Sequence, residues 1–158
     1  MTHQDSQFMM RAIELARASG ETSSGGPFGC VIVKDGEIIG EGNNRVTSTN
    51  DPTAHAEIIA IRDACARLGS FQLDGCIIYT SCEPCPMCLG AIYWARPEAV
   101  FYAGTREDAA AAGFDDQYIY DEIALENEMR RMRMQSLLRD EARNVFRLWI
   151  DKEDKTRY

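Results

Sequence analysis

Two short segments about thirty residues apart constrain this chain more than any other feature: Thr53-Ala54-His55-Ala56-Glu57 and Pro84-Cys85-Pro86-Met87-Cys88. One imidazole and two thiolates give a metal three ligands, whereas a structural zinc site normally closes with four. A three-ligand set leaves one position open to water. Glu57 stands two residues past the histidine and is the wrong kind of ligand to complete a thiolate-rich site. It is well placed to move protons beside the metal instead. Any fold for this sequence has to bring the two segments to one point.

The local pattern shows how that can happen. Cys85 and Cys88 are three apart at the start of a predicted helix, which puts both sulfurs on one face of its first turn. The same helix N-terminus favours the thiolate form that a metal needs. His55 falls in the first turn of an earlier predicted helix, from about Ala54 to Leu68, with Thr53 as its cap and Gly69 as its stop. Two such helices side by side on a sheet would let the three ligands converge, and their softness selects zinc. A redox Cys-x-x-Cys pair would need no His-x-Glu upstream. A closed structural site would need a fourth ligand. His3, in the N-terminal segment, and Cys82 are the candidates, and Cys82 precedes the tight turn and reads as a supporting residue. The His-x-Glu and Pro-Cys-x-x-Cys pattern is that of zinc-dependent base deamination, in which the acid takes a proton from activated water and returns it to the ring and the departing amine.

The remaining sequence supplies a scaffold. Gln7 to Ala18 reads as an amphipathic helix with Phe8, Ala12, Leu15 and Ala16 on one face and Gly20 as its end. Cys30 to Val33 and Glu37 to Ile39 form a predicted hairpin about Asp35-Gly36. Asn43 to Thr53 reads as loop. Short strands are expected at Cys76 to Thr80 and Ala99 to Ala103, with the cysteine-bearing helix running to about Ala95 between them. Helices are expected over Arg106 to Ala112, Tyr118 to Ile123 and Arg139 to Trp149; the stretch before the last of these suits helix or strand. A hairpin followed by alternating helices and strands implies an α/β layered domain with a mixed sheet.

Composition excludes several function classes. At 158 residues, 45% of them hydrophobic, the chain is expected to form one globular domain spanning 1–158. A net charge of −8 works against a nucleic-acid partner, since phosphate binding rests on clustered Lys and Arg. The one tight basic cluster, Arg130, Arg131 and Arg133, is flanked by Glu126 and Glu128 and reads as a solvated helix face. No apolar run suits a membrane span or a signal peptide, so a cytoplasmic protein with reduced thiols is expected. Cys30, Cys65 and Cys76 then read as core residues.

At these residues the chain resembles the cytidine deaminase-like zinc hydrolases, and within them it is similar to the small bacterial guanine deaminases. The likeness runs along nearly the whole chain. It is carried by Gly25-Gly-Pro-Phe-Gly29, by Asn50-Asp-Pro-Thr-Ala-His-Ala-Glu57, by the segment Tyr79 to Arg96 that holds both zinc-ligand cysteines, and by Ala112-Gly-Phe-Asp-Asp116. The metal motif is shared by the superfamily, whereas Gly-Phe-Asp-Asp and Tyr158 point to the narrower group. The resemblance implies a three-layer α/β/α sandwich about a five-stranded mixed sheet, one Zn2+ per subunit, and deamination of guanine in purine catabolism. It also implies a homodimer that exchanges C-terminal tails (about 151–158), so that Tyr158 closes the partner's site. It assigns purine contacts to Asn44, Phe28 and Asp116. A carboxamide at Asn44 can offer both a donor and an acceptor, and a carboxylate at Asp116 can accept from ring N–H groups. The backbone near Ala56 and Cys85 is a candidate for holding the bound species, and Trp94 for walling the pocket or filling the core. The competing functions are a tRNA adenosine deaminase, a deaminase of another small aminated ring such as guanosine or cytosine, and a non-catalytic zinc module, which would have no need of Glu57.

Overall fold

The Asp35-Gly36 pair turns the first hairpin as the sequence predicts. Both residues lie in the left-handed region (φ 52° and 80°), as a two-residue turn matched to strand twist requires. The turn joins β1 (Gly29–Lys34) to β2 (Glu37–Asn43). The computed structural model describes residues 2–114 and 116–157. They fall into two units, Met1–Asp116 and Gln117–Tyr158.

In the first unit, β3 (Cys76–Cys82) lies antiparallel to β1, and β4 (Ala99–Gly104) lies parallel to β3. The sheet is therefore mixed, in the order β2-β1-β3-β4. Among the described residues it has four strands where five were expected. The stretch with no clear pattern, around residues 126–138, adds none. Its Arg130 guanidinium donates to the Leu125 and Ile123 carbonyls.

Alternation along the strands separates two apolar faces. Val31, Val33 and Tyr79 face α1 (His3–Glu21) and meet Phe8, Met9 and Leu15. Cys30, Ile32, Cys76 and Ile78 face α3 (Ala56–Leu68) and α4 (Pro86–Ala95) and pack with Ala56, Ala60, Ala64, Ile92 and Ala95. Cys30 and Cys76 are fully buried, as expected, and Cys65 packs at the edge of this cluster.

Several boundaries differ from the sequence reading. Helix α1 starts earlier because Thr2 and Asp5 form a reciprocal capping box, and it continues through Gly20. Residues 43–53 are not all loop: a single turn, α2 (Val46–Thr49), ends on Asn50 in the left-handed region. Thr53 does not cap α3; its N–H and hydroxyl both donate to Asp51, and His55 takes the cap position. Beyond β4, α5 (Arg106–Ala111) begins with a second capping box, Thr105 with Asp108.

The second unit contains α6 (Gln117–Ala124), a 3-10 turn (Asn127–Met129) and α7 (Arg139–Asp151). Its basic cluster is not a helix face. The Arg130 guanidinium donates to the carbonyls of Ile123 and Leu125 at the end of α6, and the Arg131 N–H donates to Glu122. Among the described residues no helix is long and apolar enough to cross a membrane.

Candidate active site

The site forms where α3 and α4 begin, on the sheet face they share. Gly42 on β2 makes this approach possible: a Cβ there would lie 2.1 Å from the Ala56 carbonyl oxygen. The first turn of α3 can therefore rest directly on the strand. His55 and Cys85 are the N-caps of α3 and α4, both with extended backbone, and Pro86 follows Cys85 in the first turn. Each cap side chain leaves its helix start in the direction of the other.

The predicted ligands meet. His55 Nδ1 lies 3.5 Å from the sulfur of Cys85 and 3.5 Å from that of Cys88. All three ligand atoms fall within 4.8 Å of one another. Tetrahedral zinc, with Zn–S near 2.3 Å and Zn–N near 2.0 Å, separates sulfur from nitrogen by about 3.5 Å. The spacing and the soft donor set fit zinc. Cys82 stays outside the group. Its thiol contacts the Thr105 carbonyl, and burial followed by the charge of Glu57 pushes it up to about 11.

The electrostatics prepare one thiolate. Cys85 is held down to about 4, first by a hydrogen bond from Cys88 and then by His55. Cys88 is pushed well up, because it donates to Cys85 and is buried beside Glu57. His55 is raised, chiefly by its bond to Cys85. A bound cation reverses the sign for Cys88, since a coordinating thiol is deprotonated.

Glu57, only 6% exposed, lies beside this group. Its Oε1 accepts from the Thr80 hydroxyl at 3.3 Å, and its Oε2 meets the Cys88 sulfur at 3.3 Å. Burial is the main reason its acidity is weakened, with its own backbone N–H and Cys88 opposing. A buried carboxylate with a raised pKa holds a proton more readily than a free one, as a proton carrier must.

The expected recognition residues are placed less uniformly. Asn44 is buried and tightly held: Oδ1 accepts from the N–H groups of Gly26 and Val46, and its carbonyl accepts from the buried Ser19 hydroxyl. The expectation that it offers both donor and acceptor needs correcting, because its acceptor is already engaged and its NH2 group is what can still bind. Gly25 is required here, since a Cβ would fall 2.1 Å from Oδ1. Phe28 is half-buried and meets Phe114 edge-on, with ring centroids 4.9 Å apart. Phe114 was missed as a candidate although it lies inside Gly-Phe-Asp-Asp. Asp116 is half-buried, and its charge raises both His55 and Cys82. Ala56 is buried in the first turn of α3. Trp94 does not fill the core: α4 turns Cys88, Ile92 and Ala95 inward, and Trp94 is 64% exposed. Tyr158 lies outside the described residues.

Comparison with known proteins narrows the chemistry. Residues 2–104 match the family model of the cytidine and deoxycytidylate deaminase zinc-binding region. Guanine deaminase of Bacillus subtilis is 57% identical over 151 residues, covering 96% of this chain and 97% of that one. The crystal structure of Bacillus subtilis guanine deaminase superposes with a TM-score of 0.95 at 56% identity, covering 100% of this chain and 99% of that chain. The tRNA-specific adenosine deaminase of Aquifex aeolicus is 48% identical over 77 residues, 49% of this chain and 51% of that one.

Proposed function

We propose, for a chain that belongs to the cytidine and deoxycytidylate deaminase zinc-binding family, that its reaction is hydrolysis of guanine to xanthine and ammonia. The observation that carries this reading is the agreement with guanine deaminase along 96% of the chain. The tRNA-specific relative from Aquifex aeolicus matches only about half of it. The net charge of −8 also suits a small purine better than a polyanion.

The cofactor is one Zn2+, which we assign to His55 Nδ1, Cys85 and Cys88. When bound, it supplies the Lewis acidity that makes water nucleophilic at neutral pH. Glu57 takes the proton released as water adds to the amine-bearing carbon. It passes that proton to a ring nitrogen, then takes the remaining proton from the new hydroxyl group and gives it to the amine as the carbon–nitrogen bond breaks and ammonia leaves. One carboxylate can do all of this because water, ring nitrogen and leaving group surround a single carbon. Burial of Glu57 limits exchange of the carried proton with bulk solvent.

Recognition follows from what the fixed groups can still offer. The Asn44 NH2 donates to an acceptor on the purine edge, and Asp116 accepts from its N–H groups. Phe28, braced by Phe114, packs against the ring face. A ring with the wrong donor pattern leaves these groups unpaired and is rejected.

The second copy is part of the same proposal. Helix α4 is apolar all round, yet Tyr93 and Trp94 are 76% and 64% exposed, and Val145, Phe146 and Trp149 on α7 are exposed too. We read these surfaces as homodimer contacts, with the tail from about 151 exchanged so that Tyr158 covers the partner's site. Such a lid would exclude ribose. The setting is purine catabolism in the cytoplasm.

Ultraviolet absorbance with guanine, adenine, cytosine and guanosine on protein of known zinc content tests the reading. Conversion of guanine alone is expected. No conversion at stoichiometric zinc would overturn it. Glu57→Gln should keep zinc and lose about 10²-fold or more in kcat.

A further inference from the structure

We propose that Thr80 is a positioning residue for Glu57: its hydroxyl anchors Oε1, so that Oε2 alone carries the proton. The proposal rests on the reading of Glu57 as proton carrier. Thr80 is 1% exposed and stands on β3 opposite the fully buried Cys30. Alternation puts it in the row Cys76, Ile78, Thr80, the first two of which are packing residues of the core beneath α3 and α4. Valine would fill the same volume without a polar atom to satisfy. Its hydroxyl instead donates to Glu57 Oε1 at 3.3 Å.

The two carboxylate oxygens are therefore not equivalent. Oε2 lies 3.3 Å from the ligand sulfur of Cys88, on the side where the reaction takes place. Once Cys88 binds metal as a thiolate it no longer donates to Oε2, whereas the Thr80 bond does not depend on the metal. With Oε1 held, the side chain cannot rotate away between accepting a proton and delivering it. A strand residue facing a packed core is a rigid anchor for this purpose.

The test compares Thr80→Val, which keeps the branched shape, with Thr80→Ser, which keeps the hydroxyl. Rates are taken per bound zinc. Thr80→Val is expected to lose about tenfold in kcat with KM for guanine within twofold, because an imprecisely held catalytic group costs rate and not uniform binding. Thr80→Ser is expected to restore most of that loss. Wild-type kcat in Thr80→Val, or equal losses in the two variants, would overturn the proposal. Should Thr80→Val fail to fold with zinc, Thr80→Ala and Thr80→Ser differ by the hydroxyl alone, and equal kcat in that pair would overturn it. Glu57→Gln serves as the reference. If it is as active as the wild type, the reading of Glu57 fails and the anchor with it; if it is inactive while Thr80→Val is unimpaired, only the anchor fails.

Discussion

Replacing Gly42 by alanine should damage the metal site from a strand that contributes no ligand. A Cβ at this position would stand 2.1 Å from the Ala56 carbonyl oxygen, 2.7 Å from the Ala60 nitrogen and 3.0 Å from the Ile59 Cβ. Two of these three are helix backbone, so no side chain can swing aside. Separations under 3.0 Å are essentially never seen for a Cβ, so strand and helix must part by about 0.9 Å. The part of α3 that moves begins with Ala56, next to His55 and Glu57. Metal sites tolerate ligand displacements of about 0.2 Å, so His55 Nδ1 would no longer suit both sulfurs at once. A loss of about 10- to 100-fold in zinc affinity is expected, the scale seen when outer-shell support of a ligand is removed. Overpacking costs about 1–3 kcal/mol, of which the lost freedom of glycine in the unfolded chain returns about 0.4–1 kcal/mol. The melting temperature of the zinc-loaded protein should fall by about 3–8 °C. Competition with a chromophoric chelator, with thermal unfolding alongside, measures both quantities. Wild-type zinc affinity with an unchanged melting temperature would refute the close-approach argument.

Three further outcomes are expected. Removal of zinc by a strong chelator should abolish turnover and lower the melting temperature, with zinc restoring both and magnesium neither, because the donor set is thiolate and imidazole; activity that persists in zinc-free protein would contradict this. Tyr79, 2% exposed, donates to Asp5 at 2.7 Å and is pushed up to about 12 by burial and then by that carboxylate. A value raised in the folded state gives stability that is whole below about pH 10 and is lost as pH rises through 12. Denaturant unfolding from pH 8 to 11.5 should therefore show the wild type losing more stability than Tyr79→Phe, by up to about 2 kcal/mol, and parallel curves would exclude the linkage. Trp94→Glu should weaken self-association by about 2 kcal/mol or more if α4 is a dimer contact; an unchanged sedimentation profile would remove α4 from the interface.

The parts of this molecule that were legible in sequence are those that depend on a few residues with narrow physical roles. Asp35-Gly36 can hardly be anything but a hairpin turn, and the His-x-Glu and Cys-x-x-Cys pair leaves little freedom about where α3 and α4 begin. What was not legible depended on partners distant in sequence. The start of α1 is fixed by Thr2 and Asp5, and Asp5 is also the acceptor for Tyr79 on β3. Thr53 looked like a cap, but Asp51 lies closer to its donors than the helix does. Asn44 looked free to use its whole carboxamide, and only the fold shows the N–H groups of Gly26 and Val46 already on its oxygen. The fifth strand was expected from likeness alone, and the stretch around residues 126–138 carried no strand pattern of its own. Trp94 could not be told from a core residue because an all-apolar helix carries no periodicity to say which side faces inward.

The position of His55 and Cys85 at two helix starts has a consequence for the life of the chain as a whole. They are thirty positions apart, so one ion that grips both closes a loop holding all of α3 and β3. In chain-entropy terms a cross-link of that span is worth about 3–4 kcal/mol, a large share of the 5–15 kcal/mol typical of a whole domain. Metal supply therefore governs how long the polypeptide survives as well as whether it turns over. Loss of that cross-link is expected to make the zinc-free chain easier to open, and faster digestion of zinc-free than of zinc-loaded protein by an added protease would show it.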